Sequence, residues 1–135
     1  MTAPDDAMMA PVRAVAGFMA TLDDARLADC FADDVVIVEN FAPYVFRGSH
    51  AVARWKEGFR EHAVSLSALD VTFGPAQDFD SDGVTAYFVL PTMWKGAANG
   101  HAFEEHGGWA FVLKRADTRW KLTAYAWAVT GVRRV

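Results

Sequence analysis

The chain has 135 residues, of which 53% are hydrophobic and 22% are charged. This length and composition predict one globular domain with a buried core and exclude a largely disordered chain. The 17 acidic and 13 basic residues give a net charge of −4, which argues against a surface for nucleic acid or anionic membranes.

The cysteine content and the N-terminus set the expected compartment. Cys30 is the only cysteine, so an intrachain disulfide is excluded and a reducing compartment is compatible. Residues 1–10 carry acids and no bases, unlike a secretory signal, and no apolar run reaches the ~20 residues of a membrane span. We therefore expect a soluble, cytoplasmic protein without a membrane partner.

Hydrophobic periodicity predicts helices interleaved with a short strand pair, followed by strands alone. The first half is predicted to contain a short or kinked helical piece from Pro4, a helix from about Pro11 to Leu22, a short helix Ala25 to Phe31 after an Asp23-Asp24 cap, and a strand Val35 to Glu39. Tyr44-Val45-Phe46 then pairs back on this strand or continues the sheet. There follow a helix His50 to about Ala63 capped by Ser49, a strand from Ser67 to Pro75, a strand Val84 to Lys95, and a Gly96–Gly100 turn. Helices near the start and strands near the end predict an α+β fold, with helices on one face of a curved antiparallel sheet.

The last third of the chain predicts a long ribbon of two strands, Ala102 to Lys114 and Trp120 to Val129. A tight turn, Arg115 to Arg119, joins them. Gly107-Gly108 interrupts the first strand and predicts a bulge where the sheet bends.

The second strand of this ribbon has one bulky and one small face if its side chains alternate strictly. Tyr125 and Trp127 would then share the bulky face, which we expect to support self-association. Ala124, Ala126 and Ala128 would line the other face. A row of alanines favours either a closely packed helix or an internal cavity beside it.

Three motifs in a fixed order give the chain a family resemblance. They are Phe31-Ala32-Asp33-Asp34-Val35 before a strand, Phe46-Arg47-Gly48-Ser49 before a helix, and Arg119-Trp120-Lys121-Leu122 in the closing strand. In this order the chain resembles the SnoaL-like branch of the nuclear-transport-factor-2-like (NTF2-like) superfamily over nearly its whole length, 1–135. The resemblance implies a cone-shaped α+β barrel with an internal pocket, and a homodimer formed through the sheet.

The resemblance also implies positions for proton transfer. In the ketosteroid-isomerase relatives, a tyrosine on the first helix stabilises an oxyanion, and an aspartate just after the first strand moves the proton. These positions match Phe18 and Asn40 here, and neither residue can perform that chemistry. An offset of one residue would place Glu39 at the second position instead.

Glu104 and His106 are the candidate catalytic pair. Alternate residues of a strand share a face, and a carboxylate beside a histidine can orient it for acid–base work. The alternative is an ordinary polar strand end. A metal site would require His101, Glu105 and His50 to converge, so we expect neither a metal nor a cofactor.

Seven residues are candidates for a ligand-binding wall, because large rings line apolar pockets and a few polar groups orient the ligand. They are Phe18, Asn40, Tyr44, Trp55, Phe59, Trp94 and Trp109. The sequence thus predicts a protein that binds a small apolar or aromatic molecule, as a cofactor-free lyase, isomerase or hydrolase. The alternatives are a non-catalytic binding or dimerisation module, whose own aromatic side chains fill the pocket, and an adaptor for a protein partner.

Overall fold

The computed structural model describes residues 2–135. In chain order they form α1 Asp6–Thr21, β1 Phe31–Val38, β2 Val45–Phe46, α2 Ala51–His62, β3 Leu66–Phe73, β4 Gln77–Ser81, β5 Thr85–Ala98, β6 His101–Ala116 and β7 Arg119–Arg134. Short 3₁₀ turns at Asp24–Leu27 and Ala63–Ser65 follow the two helices. In this part of the chain, no helix combines the length and apolar character needed to span a membrane.

All seven strands belong to one curved sheet, in the order β2-β1-β7-β6-β5-β3 with β4 also paired to β5. β1 and β7 run parallel, and the other pairs are antiparallel. The α+β prediction is confirmed, but the sheet does not close into a barrel because β2 and β3 remain edges. The helices pack against its inner face, α1 on β7 and β3 and α2 on β1.

Helix α1 is longer than the sequence predicted. It begins after Asp5, whose carboxylate accepts a hydrogen bond from the Met8 amide at 2.9 Å, and it continues through Pro11. The prediction of a separate short helix before Pro11 is therefore wrong, because one helix runs through this proline. A proline within a helix costs about 3 kcal/mol, but Met8, Met9 and Pro11 are all buried, and their burial offsets that cost.

Two further boundaries differ from the prediction for local reasons. The expected helix Ala25 to Phe31 is only a 3₁₀ turn, and Phe31 already begins β1 with its ring packed edge-on against Trp55 at 5.5 Å. At the start of α2 the capping position belongs to His50 in a left-handed conformation, so Ser49 is not the cap.

The β5–β6 connection is tighter than the predicted loop Gly96–Gly100. β5 continues to Ala98, and only Asn99 and Gly100 form the turn, with φ of 50° and 80°. Two successive positive φ angles match a type I′ hairpin, which Asn-Gly favours.

A bulge in β7 changes which side chains face the core. Leu113 pairs with Leu122, whereas its neighbour Val112 pairs with Ala124, so Thr123 is an extra residue on β7. One extra residue reverses the alternation of every side chain that follows it.

The reversal turns the bulky side chains inward. Tyr125 and Trp127 are buried, while Ala124 and Ala126 are half-buried and Ala128 is exposed on the outer face. The predictions that the two aromatic residues form a self-association face and that a cavity borders the alanine row are therefore wrong. Strict alternation failed because a bulge depends on the partner strand, which the sequence pattern does not show.

The predicted irregularity at Gly107-Gly108 is confirmed, since the β6–β7 register shifts between His106 and Gly107. A Cβ at Gly107 would lie 2.3 Å from the Ala128 carbonyl oxygen and 2.7 Å from the Trp127 ring. We therefore expect Gly107→Ala to lower the free energy of unfolding by about 1–3 kcal/mol, measured by urea denaturation.

The adjacent glycine provides the matched control for this substitution. A Cβ at Gly108 would meet nothing closer than 3.7 Å, so Gly108→Ala should leave stability unchanged or slightly raised. Equal losses in the two variants would contradict the close packing at Gly107.

Candidate functional site

A cavity of about 360 Å³ lies between the inner face of the sheet and the helices. Its buried wall includes Glu39, Trp94, Trp109 and Trp127. The exposed lining residues come from the β5–β6 hairpin, the end of β7, the position after β1 (Asn40) and the end of α2 (His62), so the cavity opens to solvent between these segments. The wall is thus mostly aromatic and apolar, with a few polar groups, as is typical of small-molecule sites.

Glu39 follows directly after β1 and points into the protein. It continues the inward alternation of Val35 and Ile37, and it is only 4% exposed. Its Oε2 accepts hydrogen bonds from Trp55 Nε1 at 2.8 Å and from the Tyr125 hydroxyl at 2.5 Å. Its Oε1 accepts none from residues 2–135, and the side chain is part of the cavity wall. One oxygen is therefore fixed and the other is free for a ligand.

Burial controls the protonation of this carboxyl. Desolvation is the largest influence and raises the pKa of Glu39 to about 7; the hydrogen bonds from Tyr125 and Trp55 lower it, and the charge of Glu105 raises it. The same burial, with the charge of Glu39, raises the pKa of Tyr125 well above its ordinary value. Tyr125 therefore remains a hydrogen-bond donor while Glu39 exchanges its proton near neutral pH.

Two more titratable groups line the cavity. Glu105 Oε1 accepts a hydrogen bond from Trp127 Nε1 at 3.2 Å, which holds this carboxylate beside the wall. His62, at the end of α2, stacks on Phe41 with ring centroids 4.9 Å apart. Desolvation of the stacked ring lowers the pKa of His62, against the opposing charge of Glu105, and so favours a neutral imidazole at neutral pH.

The predicted ligand-binding residues divide into three groups. Four of them line the cavity, two are buried in the core outside its lining, and one is exposed elsewhere. In that order they are Asn40, Phe59, Trp94 and Trp109; then Phe18 and Trp55; then Tyr44. Trp55 still affects the site, because its indole N–H holds Glu39.

The structure places the predicted catalytic pair outside the cavity. Glu104 and His106 share a face of β6, as expected, but it is the outer face. Glu104 Oε2 accepts a hydrogen bond from Arg133 at 2.9 Å and lies 3.6 Å from His106 Nε2. Desolvation by itself would raise the pKa of Glu104. The combined effect of Arg133, His106 and Lys95 outweighs it, so the pKa is lower than the ordinary value. Glu104 and its neighbours Lys95, His106 and Arg133 thus form a cluster of polar side chains on the surface of the sheet.

The residues weighed for a metal site do not meet. His101 and Glu105 belong to the cavity wall, whereas His50 caps α2 and is not part of that wall. Within residues 2–135 no three His, Cys, Asp or Glu side chains are grouped as a metal would require.

The sequence analysis does not predict Glu39, Glu105 or His62 as catalytic residues; it names Glu39 only as the position one residue before Asn40, and Glu105 only as a possible metal ligand. The alternation Val35, Ile37, Glu39 was a usable signal, because an acid in phase with two buried β-branched residues must face the core. Glu105 shares the phase of Trp109, so an inward Trp109 would also have indicated it. His62 gave no signal, since its exposed position at a helix end is ordinary.

The open, curved α+β sheet with its two helices has the NTF2-like fold. The chain belongs to the SnoaL-like domain family, whose model matches residues 7–126. The resemblance found in the sequence is therefore confirmed. Among curated proteins, no sequence matches this chain.

Solved structures with the same fold have low sequence identity to this chain. Hexachlorocyclohexane dehydrochlorinase LinA-type3 from Novosphingobium barchaimii is 10% identical, with a TM-score of 0.76 over 96% of this chain and 88% of its own. A candidate scytalone dehydratase from Novosphingobium aromaticivorans is 13% identical, with a TM-score of 0.73 over 95% and 87%. A candidate ketosteroid isomerase from Shewanella frigidimarina is 21% identical, with a TM-score of 0.72 over 92% and 96%.

The raised pKa of Glu39 predicts how stability depends on pH. Folding favours the protonated carboxyl, so its contribution to stability is full below the ordinary value of 4.5 and is lost as pH rises toward about 7. The difference between a pKa of 4.5 and one of about 7 corresponds to about 3 kcal/mol in the free energy of unfolding. Urea denaturation at a series of pH values should show Glu39→Gln gaining up to that amount relative to the unaltered protein as pH rises from 4.5 to 7.

Glu104→Gln is the control, because the pKa of Glu104 is lowered rather than raised. Its stability difference should stay flat over the same pH range. If the stability difference between Glu39→Gln and the unaltered protein also stays constant with pH, Glu39 titrates as an exposed acid and the expectation is contradicted.

Proposed function

We propose that this protein is a cofactor-free acid–base enzyme, a lyase, isomerase or hydrolase, that acts on a small apolar or aromatic molecule. Glu39 is the group that moves the proton. The observation that carries the proposal is a buried carboxyl with a pKa near 7 and one oxygen free beside an aromatic cavity.

The hydrogen bonds to Glu39 suit proton transfer. Trp55 and Tyr125 fix Oε2, so Oε1 keeps a defined position relative to a bound molecule. A pKa near the working pH leaves both the acid and the base accessible. When Glu39 loses its proton, the O–H of Tyr125 and the N–H of Trp55 stabilise the resulting charge without rearrangement.

The other residues of the cavity wall have roles in binding and in proton transfer. Phe59, Trp94 and Trp109 supply flat apolar surface for an apolar or aromatic molecule. His62 is the second proton-transfer group, since a neutral imidazole can accept or return a proton. Asn40 offers an amide to orient a polar substituent.

The structural neighbours support this choice only through their shared fold. Proteins described as a dehydrochlorinase, a dehydratase and an isomerase use the same architecture. One fold hosts many functions, so the groups in the cavity decide. Titratable side chains in the wall favour an enzyme over a module filled by its own aromatic residues.

A probe with a carbon acid tests Glu39 without knowledge of the natural substrate. In 5-nitrobenzisoxazole a base removes the C3 proton, the N–O bond breaks, and a coloured phenolate forms. We expect the protein to accelerate this elimination with a rate that rises through pH 7, because ionised Glu39 is the base. Glu39→Gln should lower the rate about 100-fold or more, measured by phenolate absorbance.

Glu104→Gln is the matched control, since it removes the same charge from the outer face and should leave the rate unchanged. A loss in Glu104→Gln equal to that in Glu39→Gln would contradict the assignment. A probe that binds in the cavity but is not turned over would favour the non-catalytic binding module.

We also propose that two copies associate through the outer face of the sheet. Val89, Ala110 and Ala126 are register partners on neighbouring strands, and all three are half-buried in the single chain. Their small apolar side chains make a smooth patch against which an identical patch can pack.

Light scattering should therefore report a dimer, and Ala126→Glu should convert it to a monomer by placing two like charges in the interface. Val64→Glu adds the same charge at an exposed apolar residue outside the patch and should leave the dimer intact. A monomer at high concentration of the unaltered protein would contradict this proposal.

A further inference from the structure

Two carboxyl groups of the cavity wall have no cation beside them. Glu39 is 4% exposed and Glu105 is half-buried, and in the described part of the chain neither forms an ion pair. Their hydrogen bonds come from uncharged donors, the indoles of Trp55 and Trp127 and the hydroxyl of Tyr125. Acidic side chains that are withdrawn from water are normally paired with a positive charge. The cavity is therefore short of positive charge.

The neighbouring acid on β6 shows how this sheet compensates a carboxylate elsewhere. Glu104 lies on the outer face, and three cationic or titratable nitrogens surround it, at 3.9 Å in Lys95, 3.6 Å in His106 and 2.9 Å in Arg133. Alternation along the strand turns Glu105 to the inner face instead. The outer face thus supplies the cations, although the more enclosed inner face has the greater need of one.

The free oxygen of Glu39 is accessible from the cavity. Its Oε2 accepts both hydrogen bonds, from Trp55 and Tyr125, and its Oε1 accepts none. Among the described residues, Trp109 Nε1 is the fully buried side-chain nitrogen or oxygen that lacks a partner, so the unpartnered Oε1 of Glu39 is not fully buried. Because Glu39 lines the cavity and is otherwise enclosed by the core, the accessible surface of Oε1 faces the cavity.

The other charged or titratable residues of the wall do not neutralise these two acids. They are His62 at the end of α2, His101 at the start of β6 and Arg134 at the end of β7. All three are exposed, so water and salt weaken their fields inside the cavity. Two carboxylates in one enclosed space also repel each other, and a cation beside them relieves that repulsion.

Aromatic rings complete a site for a cation with an apolar body. Trp94, Trp109 and Trp127 form a continuous row in the wall, with centroids 6.3 Å and 6.0 Å apart and planes inclined by 49° and 70°. Phe41 and Phe59 line the cavity as well. The faces of aromatic rings, tryptophan above all, attract organic ammonium groups, and the attraction is stronger where water is excluded. Within residues 2–135 no three metal-ligating side chains are grouped, so the match is to an organic cation.

We propose that the cavity binds a small organic cation, an amine carried on an apolar body, with its positive charge beside Glu39 and Glu105 and against the tryptophan rings. This inference rests on the proposed function, because it names the ligand class of the same site. A cation there favours ionised Glu39, which is the form that accepts a proton.

Phenyltrimethylammonium and tert-butylbenzene isolate the effect of the charge. The two molecules have nearly the same shape and differ by one atom, a positive nitrogen in place of carbon. Quenching of tryptophan fluorescence should show the cation binding about tenfold more tightly. A cavity without a preference for charge would favour the hydrocarbon, which leaves water more readily. Equal or tighter binding of tert-butylbenzene, or no binding of the cation at millimolar concentration, would overturn the inference.

Glu105→Gln tests the uncompensated acid on β6. Glutamine keeps an oxygen for the Trp127 N–H, and the variant should bind phenyltrimethylammonium about tenfold more weakly and tert-butylbenzene unchanged. Glu104→Gln is the matched control, since it removes the same charge from the adjacent residue on the outer face and should leave both affinities unchanged. Equal losses in the two variants would mean that net charge attracts the cation, and the cavity site would be wrong.

The affinity for phenyltrimethylammonium should also rise as pH rises through 7, because Glu39 gains its charge there while the probe does not titrate. The other titratable or charged groups of the wall are His62, His101, Glu105 and Arg134. Glu39→Gln separates the contribution of Glu39 from theirs and should remove most of the rise. A rise of the same size in Glu39→Gln would contradict the place of the cation beside Glu39.

The two proposals for this cavity fail in different ways. If Glu105→Gln does not fold, the two probes and the pH dependence in the unaltered protein still decide. 5-Nitrobenzisoxazole is uncharged, so its elimination without binding of the cation leaves the acid–base enzyme standing and removes only the amine. Binding of the cation without elimination leaves the amine site standing and removes the catalytic role of Glu39.

Discussion

The carboxyl of Glu39 is the interaction on which the arrangement of the cavity depends. It lies at the end of β1 and receives hydrogen bonds from Trp55 on α2 and Tyr125 on β7. One buried oxygen thereby connects a strand, a helix and the last strand of the sheet. A buried acid is tolerated only when it is hydrogen-bonded or protonated, and here both conditions are met near neutral pH. Burial of the carboxyl costs free energy when it is ionised, and this cost raises its pKa. The same burial therefore suits Glu39 to the proposed proton transfer.

The bulge at Thr123 makes this arrangement possible. Without the extra residue, Tyr125 would point to the outer face of the sheet and Glu39 would lose one of its donors. The same reversal brings Trp127 inward, where it holds Glu105. Gly107 then leaves the space that the Trp127 ring occupies. A local irregularity in two neighbouring strands thus determines which titratable groups face the cavity.

Much of the fold was predictable, because it depends on local signals. Helix periodicity, the Asn99-Gly100 turn and the order of elements all gave the α+β class, and the motif order gave the SnoaL-like family. The site was less predictable. Alternation along β1 indicated an inward Glu39, but nothing in the sequence marked Thr123 as an extra residue, so Tyr125 was placed on the wrong face. Glu104 and His106 were correctly placed on one face of β6, yet an isolated strand does not show which of its faces is covered.

The titration of the Glu39 side chain in the unliganded protein tests the proposed proton transfer most directly. The ¹³C signal of its carboxyl carbon can be followed from acid to alkaline pH and assigned by its absence in Glu39→Gln. A midpoint near 7 is the expected result, because burial disfavours the charged form more than Trp55 and Tyr125 favour it. A midpoint at or below the ordinary value of 4.5 would mean that the hydrogen bonds dominate. Glu39 would then be a structural anion, and the proposed proton transfer would have no base matched to neutral pH.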